Sequence, residues 1–346
     1  MPPPLTIINS LAPIRICDTG GWTDTWFAEH GSVFNIAVSP YAEVQIAVLA
    51  GGEPGVHLHV ENFGERYRLD RARRWGPHPL LEAAIAYMQV PEALCLEINI
   101  HSDAPSGAST GTSAAVSVAL VGALDALTPG RLAPHEVAAA AHRIETDLLG
   151  QQSGIQDQLA SAYGGINYIE MFAYPHAAVS PIPVPEATAW ELERRLALVY
   201  LGKSHSSSKL HERVIAGLEA AGPDHPPLEA LRRAAVRSRD ALAAGDFAAL
   251  GAAMIDNTAA QARLHPDLVG PEAARVIELA AAHGALGWKV NGAGGAGGSL
   301  TLLCGPRASA RRALLNEVAL ADPSFRIIPI RLSPGGLRVW RSDTTG

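Results

Sequence analysis

Apolar and polar positions alternate over residues 94–101, which read LCLEINIH. A period of two is typical of a half-buried strand. A loop of small residues follows at 103–113, and the Ala/Val/Leu-rich run through Leu127 contains no proline. That density of apolar residues favours a buried helix. The pattern therefore predicts a strand, a small-residue loop and a helix in succession.

Further elements in the first half follow from the same patterns. The sequence predicts helices at 134–149 and 154–163 and a returning strand at 164–172. Two strand-like runs, 43–50 and 56–60, flank GGEPG and predict a hairpin-like pair. The prolines of 175–187 are expected to interrupt any regular element, so the predicted domains are 1–187 and 188–346.

The second half also mixes strands and helices. Its predicted elements are a strand at 197–202, a serine-rich turn at 204–208 leading into a helix, helices near 228–244, 247–263, 271–285 and 307–320, strands on both sides of a glycine-rich segment within 287–304, and a final strand pair near 326–340. The halves lack the regular alternation of a doubly wound sheet, which favours an α+β fold.

Composition narrows the function. Among 346 residues, 27 basic residues face 34 acidic ones, and 24 of the 27 are arginines spread along the chain, which argues against nucleic acid as a partner. The longest nearly apolar run, 114–124, is far shorter than a bilayer span requires. The N-terminus lacks signal-peptide features, so we expect a cytoplasmic protein. Three widely separated cysteines favour neither a disulfide framework nor a zinc site.

The loop PSGASTGTS at 105–113 is the first candidate for chemistry. Its small residues Gly107, Ser109, Thr110, Gly111, Thr112 and Ser113 precede a helix, where backbone N–H groups without partners can approach a phosphate. Thr112 and Ser113 add hydroxyls that can reach a phosphate oxygen or Mg²⁺. The alternative is an ordinary helix start with Thr112 as its N-cap. A Walker A loop is excluded, because no lysine occurs between residues 1 and 202.

A second glycine-rich segment, GAGGAGG at 292–298, precedes a strand instead of a helix, which excludes a dinucleotide-binding fingerprint. It predicts a backbone loop packed closely against a ligand or another part of the chain.

Glu145 and Asp157 form a third candidate, able to serve a Mg²⁺-bound phosphate and a substrate hydroxyl, or merely to cap helices. In the polar interval after Arg15, Asp24 can accept hydrogen bonds from sugar hydroxyls or initiate a turn.

Taken in order, these segments resemble the GHMP kinase superfamily over nearly the whole chain. The family's phosphate loop reads roughly Pro-x-Gly-Ser-Gly-Leu-Gly-Ser-Ser-Ala, and this chain keeps Pro105, Gly107, Gly111, Ser113 and Ala114 while departing at Ala108, Ser109 and Thr110. The resemblance implies ATP and Mg²⁺ as cofactors. It also implies an N-terminal domain like domain 2 of ribosomal protein S5 and a C-terminal ferredoxin-like α+β domain.

The resemblance also implies roles for individual residues. Asp157 falls on the catalytic aspartate, Arg15 on an arginine near the transferred phosphoryl group, and Glu145 and Ser113 on the Mg²⁺ ligands. The implied sugar-binding residues are Gly21, Trp22, Thr23, Asp24 and Asp157. Gly292, Gly294, Gly295 and Gly297 fall on the motif that supports the phosphate loop from the second domain.

Within the superfamily, APIRICDTGGWTDT at 12–25 looks most like the L-fucose kinase and D-glycero-D-manno-heptose 7-phosphate kinase branch, whose members phosphorylate the anomeric hydroxyl. Trp22 replaces the histidine of galactokinases, which argues against galactose. A heptose 7-phosphate needs a basic pocket, for which Lys203, His205 and Lys209 are candidates. L-Fucose needs an apolar patch, which Trp22 and Trp26 can supply.

The chain is too short for the nucleotidyltransferase region of many fucose kinases, which favours the heptose phosphate. A sugar or cyclitol of another kind and a catalytically silent sugar or nucleotide sensor on the same fold are the alternatives. The decarboxylase branch is disfavoured because the N-terminal segment looks built for a sugar. The oligomeric state is left open.

Overall fold

The computed structural model describes residues 4–128, 131–202, 208–295 and 297–342. These residues form twelve strands in two sheets and ten α-helices. The strands are β1 (Pro4–Thr19), β2 (Gly31–Leu49), β3 (Gly55–Val60), β4 (Glu65–Arg68), β5 (Cys95–Ser102), β6 (Ile166–Ala173), β7 (His176–Pro181), β8 (Leu196–Tyr200), β9 (Gly287–Val290), β10 (Ser299–Leu303), β11 (Arg326–Ile328) and β12 (Arg338–Ser342). The helices are α1 (Pro79–Tyr87), α2 (Thr112–Asp125), α3 (Pro134–Arg143), α4 (Gln156–Tyr163), α5 (Glu186–Arg195), α6 (Ser208–Ala221), α7 (Pro226–Ala243), α8 (Phe247–Leu264), α9 (Pro271–Ala282) and α10 (Ala308–Ala321).

The larger sheet has the strand order β12-β1-β2-β5-β3-β4, and β2 also pairs with β6, which pairs with β7. Its pairings are antiparallel except that of β3 with β5. The predicted hairpin of 43–50 with 56–60 is wrong, because β5 lies between β2 and β3. The glycines and proline of GGEPG predict a turn but do not determine which strand pairs with which. The alternating apolar residues of β5 provide a pairing partner for both β2 and β3.

Both faces of the larger sheet are covered near its centre. In β2, residues 33–38 are buried in succession, whereas burial alternates over 42–46. Successive burial requires packing on both faces. Helices α2 and α4 pack against β1 and β2, and α7 packs against the same two strands and β6. The polar end of β1, which carries Arg15, is therefore enclosed.

The smaller sheet has the antiparallel order β11-β8-β10-β9. Every residue of β8 and β10 is buried. One face packs against α9 and α10 through Val276, Ala280, Leu314 and Val318. The loop between β9 and β10 carries the glycine-rich segment, so this sheet positions that segment beside β1.

The α+β class predicted from the sequence is confirmed, but two details are corrected. The proline-rich segment at 175–187 contains β7, because β6 offers it an antiparallel partner. The final strands do not pair with each other: β11 joins β8, and β12 returns to pair with β1. The domain boundary after residue 187 stays a prediction. None of the helices in the described ranges is long and apolar enough to cross a membrane.

Candidate active site

A cleft of about 680 Å³ brings the sequence-predicted segments together. Its walls come from the polar end of β1, the loop before α2, the start of α4 and the glycine-rich loop after β9. Each wall segment follows or precedes a strand or helix end, where backbone groups lack partners within their own element. The cleft is thus lined by the ends of regular elements and by polar side chains, among them Arg15, Asp24 and Asp157.

The small-residue loop before α2 has a backbone that depends on its composition. Gly107, Ser109 and Gly111 have φ angles of 74°, 56° and 70°, in the left-handed region. Ser109 occupies a position where the family that this sequence resembles usually has glycine. Its positive φ explains the preference for glycine there. Gly111 is the N-cap of α2, which corrects the alternative that assigned Thr112 to this position. Since no side chain caps the helix, its first-turn N–H groups are available to an anion.

Arg15 of β1 and Asp157 in the first turn of α4 form a two-pronged ion pair at the base of the loop. Arg15 Nε donates to Asp157 Oδ1 at 2.8 Å, and Nη2 donates to Oδ2 at 3.1 Å. Arg15 Nη1 also donates to the carbonyl of Ser109. Burial lowers the pKa of Arg15, but Asp157, Asp18 and Asp24 outweigh burial and raise it above its ordinary value. The guanidinium thus stays charged beside the small-residue loop.

The glycine-rich loop packs directly on the small-residue loop. A β-carbon at Gly292 would lie 2.9 Å from the Ser109 carbonyl oxygen, and one at Gly298 would lie 2.8 Å from Ser109 Oγ. Ser299 Oγ donates to the Ala108 carbonyl. The other predicted glycines serve the loop itself: Gly294 packs on the Leu268 carbonyl, Gly295 donates to it at 3.0 Å, and Gly297 has a φ of 94°.

Asp24 also lines the cleft. Its Oδ2 accepts a hydrogen bond from the backbone N–H of Gln156 at 3.0 Å. Its side chain packs so closely on Gly154 that a β-carbon there would lie 2.2 Å from Oδ2. Burial raises the pKa of Asp24 to about 6, and the Gln156 hydrogen bond only partly offsets this. Asp24 is therefore a strong acceptor held at a cost in stability.

The three residues before Asp24 differ in whether they face the cleft. Trp22 has a φ of 79°, lines the cleft and packs against His211, with ring centroids 4.8 Å apart and ring planes tilted by 36°. Thr23 is buried and donates to the Gly20 carbonyl at 2.7 Å, while the Gly21 N–H donates to the Asp18 carbonyl at 3.2 Å. Thr23 and Gly21 thus shape the turn behind the cleft wall, and their predicted contact with a sugar stays a prediction.

We expect Asp24→Asn to stabilise the protein at pH 8. The unfolded carboxyl ionises near 3.8 and the folded one near 6, so the folded state binds more protons between these values. The free energy of unfolding therefore decreases as pH rises from about 4 to 6. Asparagine carries no charge and avoids this loss. The substitution should therefore raise the free energy of unfolding by about 1–3 kcal/mol at pH 8 and by much less at pH 4. Denaturant unfolding at both pH values measures it; an equal gain at both would contradict the assignment.

Glu145 lies behind Ser153, in a π-helical turn over Ile144–Leu148 that continues α3. Such turns often occur at functional sites. Its Oε2 accepts hydrogen bonds from Ser153 Oγ at 2.7 Å and Gln158 Nε2 at 2.8 Å, whereas its buried Oε1 has no partner among the described residues. Burial raises the pKa of Glu145 to about 7. An unpaired buried carboxylate oxygen fits a group that binds a cation.

The described residues contain no cluster of three or more His, Cys, Asp or Glu side chains able to hold a metal by themselves. Mg²⁺ usually takes one or two protein oxygens together with phosphate and water. Glu145 and Ser113, an exposed residue of the cleft wall, fit that sparse donor set.

Several residues in or behind the cleft wall were missed by sequence reasoning. Asp18 and Lys289 form a buried ion pair at 3.3 Å behind Arg15. Phe63 and His78 line the far end of the cleft, with ring centroids 5.3 Å apart. These single acidic, basic and aromatic residues belong to no local sequence motif, and the ion pair joins residues that are far apart in the chain. Of the predicted basic residues, Lys203, His205 and the side chain of Lys209 lie outside the described part.

Comparison with known proteins gives matches along most of the chain. The model of the GHMP kinases N terminal domain matches residues 80–165, and that of the GHMP kinases C terminal domain matches 238–319. D-glycero-alpha-D-manno-heptose 7-phosphate kinase of Campylobacter jejuni is 28% identical over 301 residues, which cover 84% of this chain and 87% of that protein. Mevalonate kinase of Thermococcus sibiricus is 31% identical over 254 residues, covering 70% and 68% of the two chains.

Two further comparisons concern sugar kinases. The bifunctional fucokinase/GDP-fucose pyrophosphorylase of Arabidopsis thaliana is 26% identical over 310 residues, which cover 84% of this chain but only 29% of the plant protein. The crystal structure of a D-glycero-D-manno-heptose 1-phosphate kinase from Bacteriodes thetaiotaomicron superposes with a TM-score of 0.75 at 20% identity, covering 96% of this chain and 98% of that one. This likeness concerns the fold.

Proposed function

Because this chain belongs to the GHMP kinase family, and so is a kinase with an alcohol group as acceptor, we propose that it transfers the γ-phosphoryl group of ATP to the anomeric hydroxyl of a sugar. The proposed acceptor is a heptose 7-phosphate. The similarity to a heptose 7-phosphate kinase over 87% of its length supports this choice.

The single observation that carries the proposal is the position of Asp157. A β-carbon at Gly111 would lie 3.2 Å from Asp157 Cγ, so the carboxylate sits against the N-cap of the helix proposed to hold the transferred phosphate. Arg15 donates a hydrogen bond to each of the two carboxylate oxygens. Asp157, with a side chain 29% exposed, can orient an acceptor hydroxyl and accept its proton while Arg15 neutralises phosphoryl charge.

The far end of the cleft suits the adenine ring of ATP. Phe63 is 62% exposed, and His78 lies between Phe63 and Tyr67, whose ring is stacked on it at 6.0 Å. Glu82 fixes the segment before His78 by accepting from the Gly76 N–H and the Tyr67 hydroxyl. An exposed aromatic ring on a fixed support favours stacking with a planar base. The triphosphate would then extend towards the N-terminus of α2.

Glu145 and Ser113 are the residues proposed to hold Mg²⁺. When bound, the ion would neutralise phosphate charge and orient the β- and γ-phosphates. Ser153 and Gln158 fix Glu145 by bonding Oε2, which leaves Oε1 as the oxygen for the cation. Ser113 contributes its hydroxyl from the first turn of α2.

We expect Glu145→Gln to raise the Mg²⁺ concentration needed for half-maximal ADP formation by about tenfold or more, since an amide oxygen is a weaker ligand than a carboxylate. The amide retains hydrogen bonds to Ser153 and Gln158, so folding should persist. Titration of Mg²⁺ at fixed ATP measures the effect, and Glu170→Gln, at an exposed position in β6, is the control. An unchanged Mg²⁺ requirement would remove Glu145 from the metal site.

A second acceptor, L-fucose, is favoured by one observation. Trp22, Trp26 and Phe27 form an aromatic cluster at the Asp24 end of the cleft, with Trp22 and Phe27 centroids 6.4 Å apart and Trp26 and Phe27 centroids 5.2 Å apart. Burial lowers the pKa of the adjacent His211, which therefore offers little positive charge to a phosphate at neutral pH. An aromatic wall of this kind can pack against the methyl face of a neutral deoxy sugar.

The test is ADP release with Mg²⁺-ATP over free hexoses, L-fucose, heptoses, their terminal phosphates and cyclitols, followed by phosphorus NMR of the product. The proposal expects one substrate class to give an anomeric phosphate resonance. Phosphorylation at another hydroxyl would overturn the anomeric assignment. ATP binding by the folded protein without turnover of any acceptor would favour the sensor alternative.

A further inference from the structure

Lys289 is a buried lysine that the proposed reaction does not use. It lies in β9, is 1% exposed and is enclosed between β1 and α8. Its Nζ lies 3.3 Å from Asp18 Oδ1 and 3.3 Å from Gln261 Oε1, and it also donates to the carbonyl of Val290. Burying an ammonium group is expensive unless it is paired. A lysine at this depth therefore suggests a task that an apolar residue cannot perform.

Asp18 lies between two cations. Its carboxylate is fully buried and accepts the Gly292 N–H with both oxygens, at 3.2 and 3.0 Å. Lys289 approaches on one side, while Arg15 Nη2 lies 4.0 Å from Asp18 Oδ2 on the other. Gln261 donates to the Gly292 carbonyl at 3.0 Å, so the same cluster fixes both backbone groups of the glycine that packs on Ser109.

Arg15 therefore has two possible carboxylate partners. It forms close hydrogen bonds with Asp157 and only a longer contact with Asp18. Asp157 is partly exposed, so water weakens its attraction to Arg15. Asp18 is buried, and the attraction between charges is stronger there. Without a compensating cation, Asp18 would be the stronger competitor for the guanidinium.

We propose that Lys289 is a positioning residue, which neutralises Asp18 and so leaves Arg15 free to bind Asp157 and the Ser109 carbonyl. The charge is supplied from the second sheet, through the strand that leads into the glycine-rich loop. Because Asp18 contacts both the Gly292 N–H and Arg15, the position of the glycine-rich loop and the orientation of Arg15 depend on each other. The effect on catalysis rests on the roles proposed above for Arg15 and Asp157.

The test compares Lys289→Met with the double variant Asp18→Asn/Lys289→Met. In the single variant Arg15 should turn towards Asp18, so kcat should fall about tenfold or more, the KM for ATP should change little, and the acid limb of the pH profile of kcat/KM should move to higher pH. The double variant removes the competing charge and should recover at least a third of the wild-type kcat and the original pH profile. Asparagine retains an oxygen for the Gly292 N–H.

The Nε–H resonance of Arg15 in ¹⁵N NMR spectra, assigned with Arg15→Lys, gives a readout that needs no substrate. It should shift in Lys289→Met and return in the double variant, even if no sugar in the panel is phosphorylated and the proposed function fails. Lys289→Gln is the substitute if the methionine variant does not fold. A lower melting temperature with unchanged kcat, pH profile and Arg15 resonance would overturn the proposal, as would a double variant as impaired as the single one.

Discussion

Replacing Asp157 by asparagine is expected to lower kcat about a thousandfold, within the range for loss of a positioned general base. The amide keeps the shape of the side chain and can still accept one hydrogen bond from Arg15, but it cannot accept the proton of the acceptor hydroxyl. In the proposed site the nucleotide is held by the loop before α2 and by the aromatic end of the cleft, neither of which includes Asp157, so ADP affinity should change by less than about threefold. Single-turnover kinetics and calorimetric ADP titration measure the two quantities.

The chain offers a matched control for this substitution. Asp256 forms an ion pair with Arg237, but both side chains are more than half exposed. Exposed pairs of this kind contribute little to stability. Asp256→Asn should therefore leave kcat and ADP affinity unchanged. Full activity of Asp157→Asn would remove the general-base role, whereas equal losses in the two variants would indicate a nonspecific effect of charge.

Arg15→Lys is expected to lower kcat about a hundredfold or more although the charge is conserved. The guanidinium donates to both oxygens of Asp157 and to the Ser109 carbonyl at the same time. A lysine is a point charge without a planar fork and cannot reproduce that arrangement. Asp157 should then lose its fixed orientation relative to the small-residue loop, and alignment of the reacting groups accounts for much of phosphoryl-transfer catalysis.

Arg237→Lys is the control for Arg15→Lys, because it makes the same exchange in the exposed pair with Asp256. Its steady-state parameters should match those of the wild type. The decisive measurement is kcat at saturating ATP and acceptor, together with the melting temperature. An Arg15→Lys enzyme with wild-type kcat would show that charge alone suffices at this position and would contradict the geometric argument.

Local patterns were sufficient for most elements of the fold. Strict alternation predicted β5, the proline-free apolar run predicted α2, and the small residues between them predicted a loop, whose left-handed backbone positions the structure then revealed. These features depend on neighbours within a few residues, so the sequence carries their signal directly. Strand pairing does not have this property. The hairpin expected for 43–50 and 56–60 was wrong because β5, more than thirty residues downstream of β3, inserts between the two strands.

The sequence by itself determined the α+β class and the small-residue loop, and it singled out Arg15, Asp24, Glu145 and Asp157 as candidate residues, whose expected roles came from the resemblance to the GHMP kinase superfamily. Only the tertiary structure decided which of them meet: Arg15 pairs with a residue 142 positions away. It also revealed that Asp18 is paired with Lys289, 271 positions away. The physical reason is that a charge in the sequence specifies neither its burial nor its partner. Those are decided when distant strands and helices pack and the desolvated charges must be compensated.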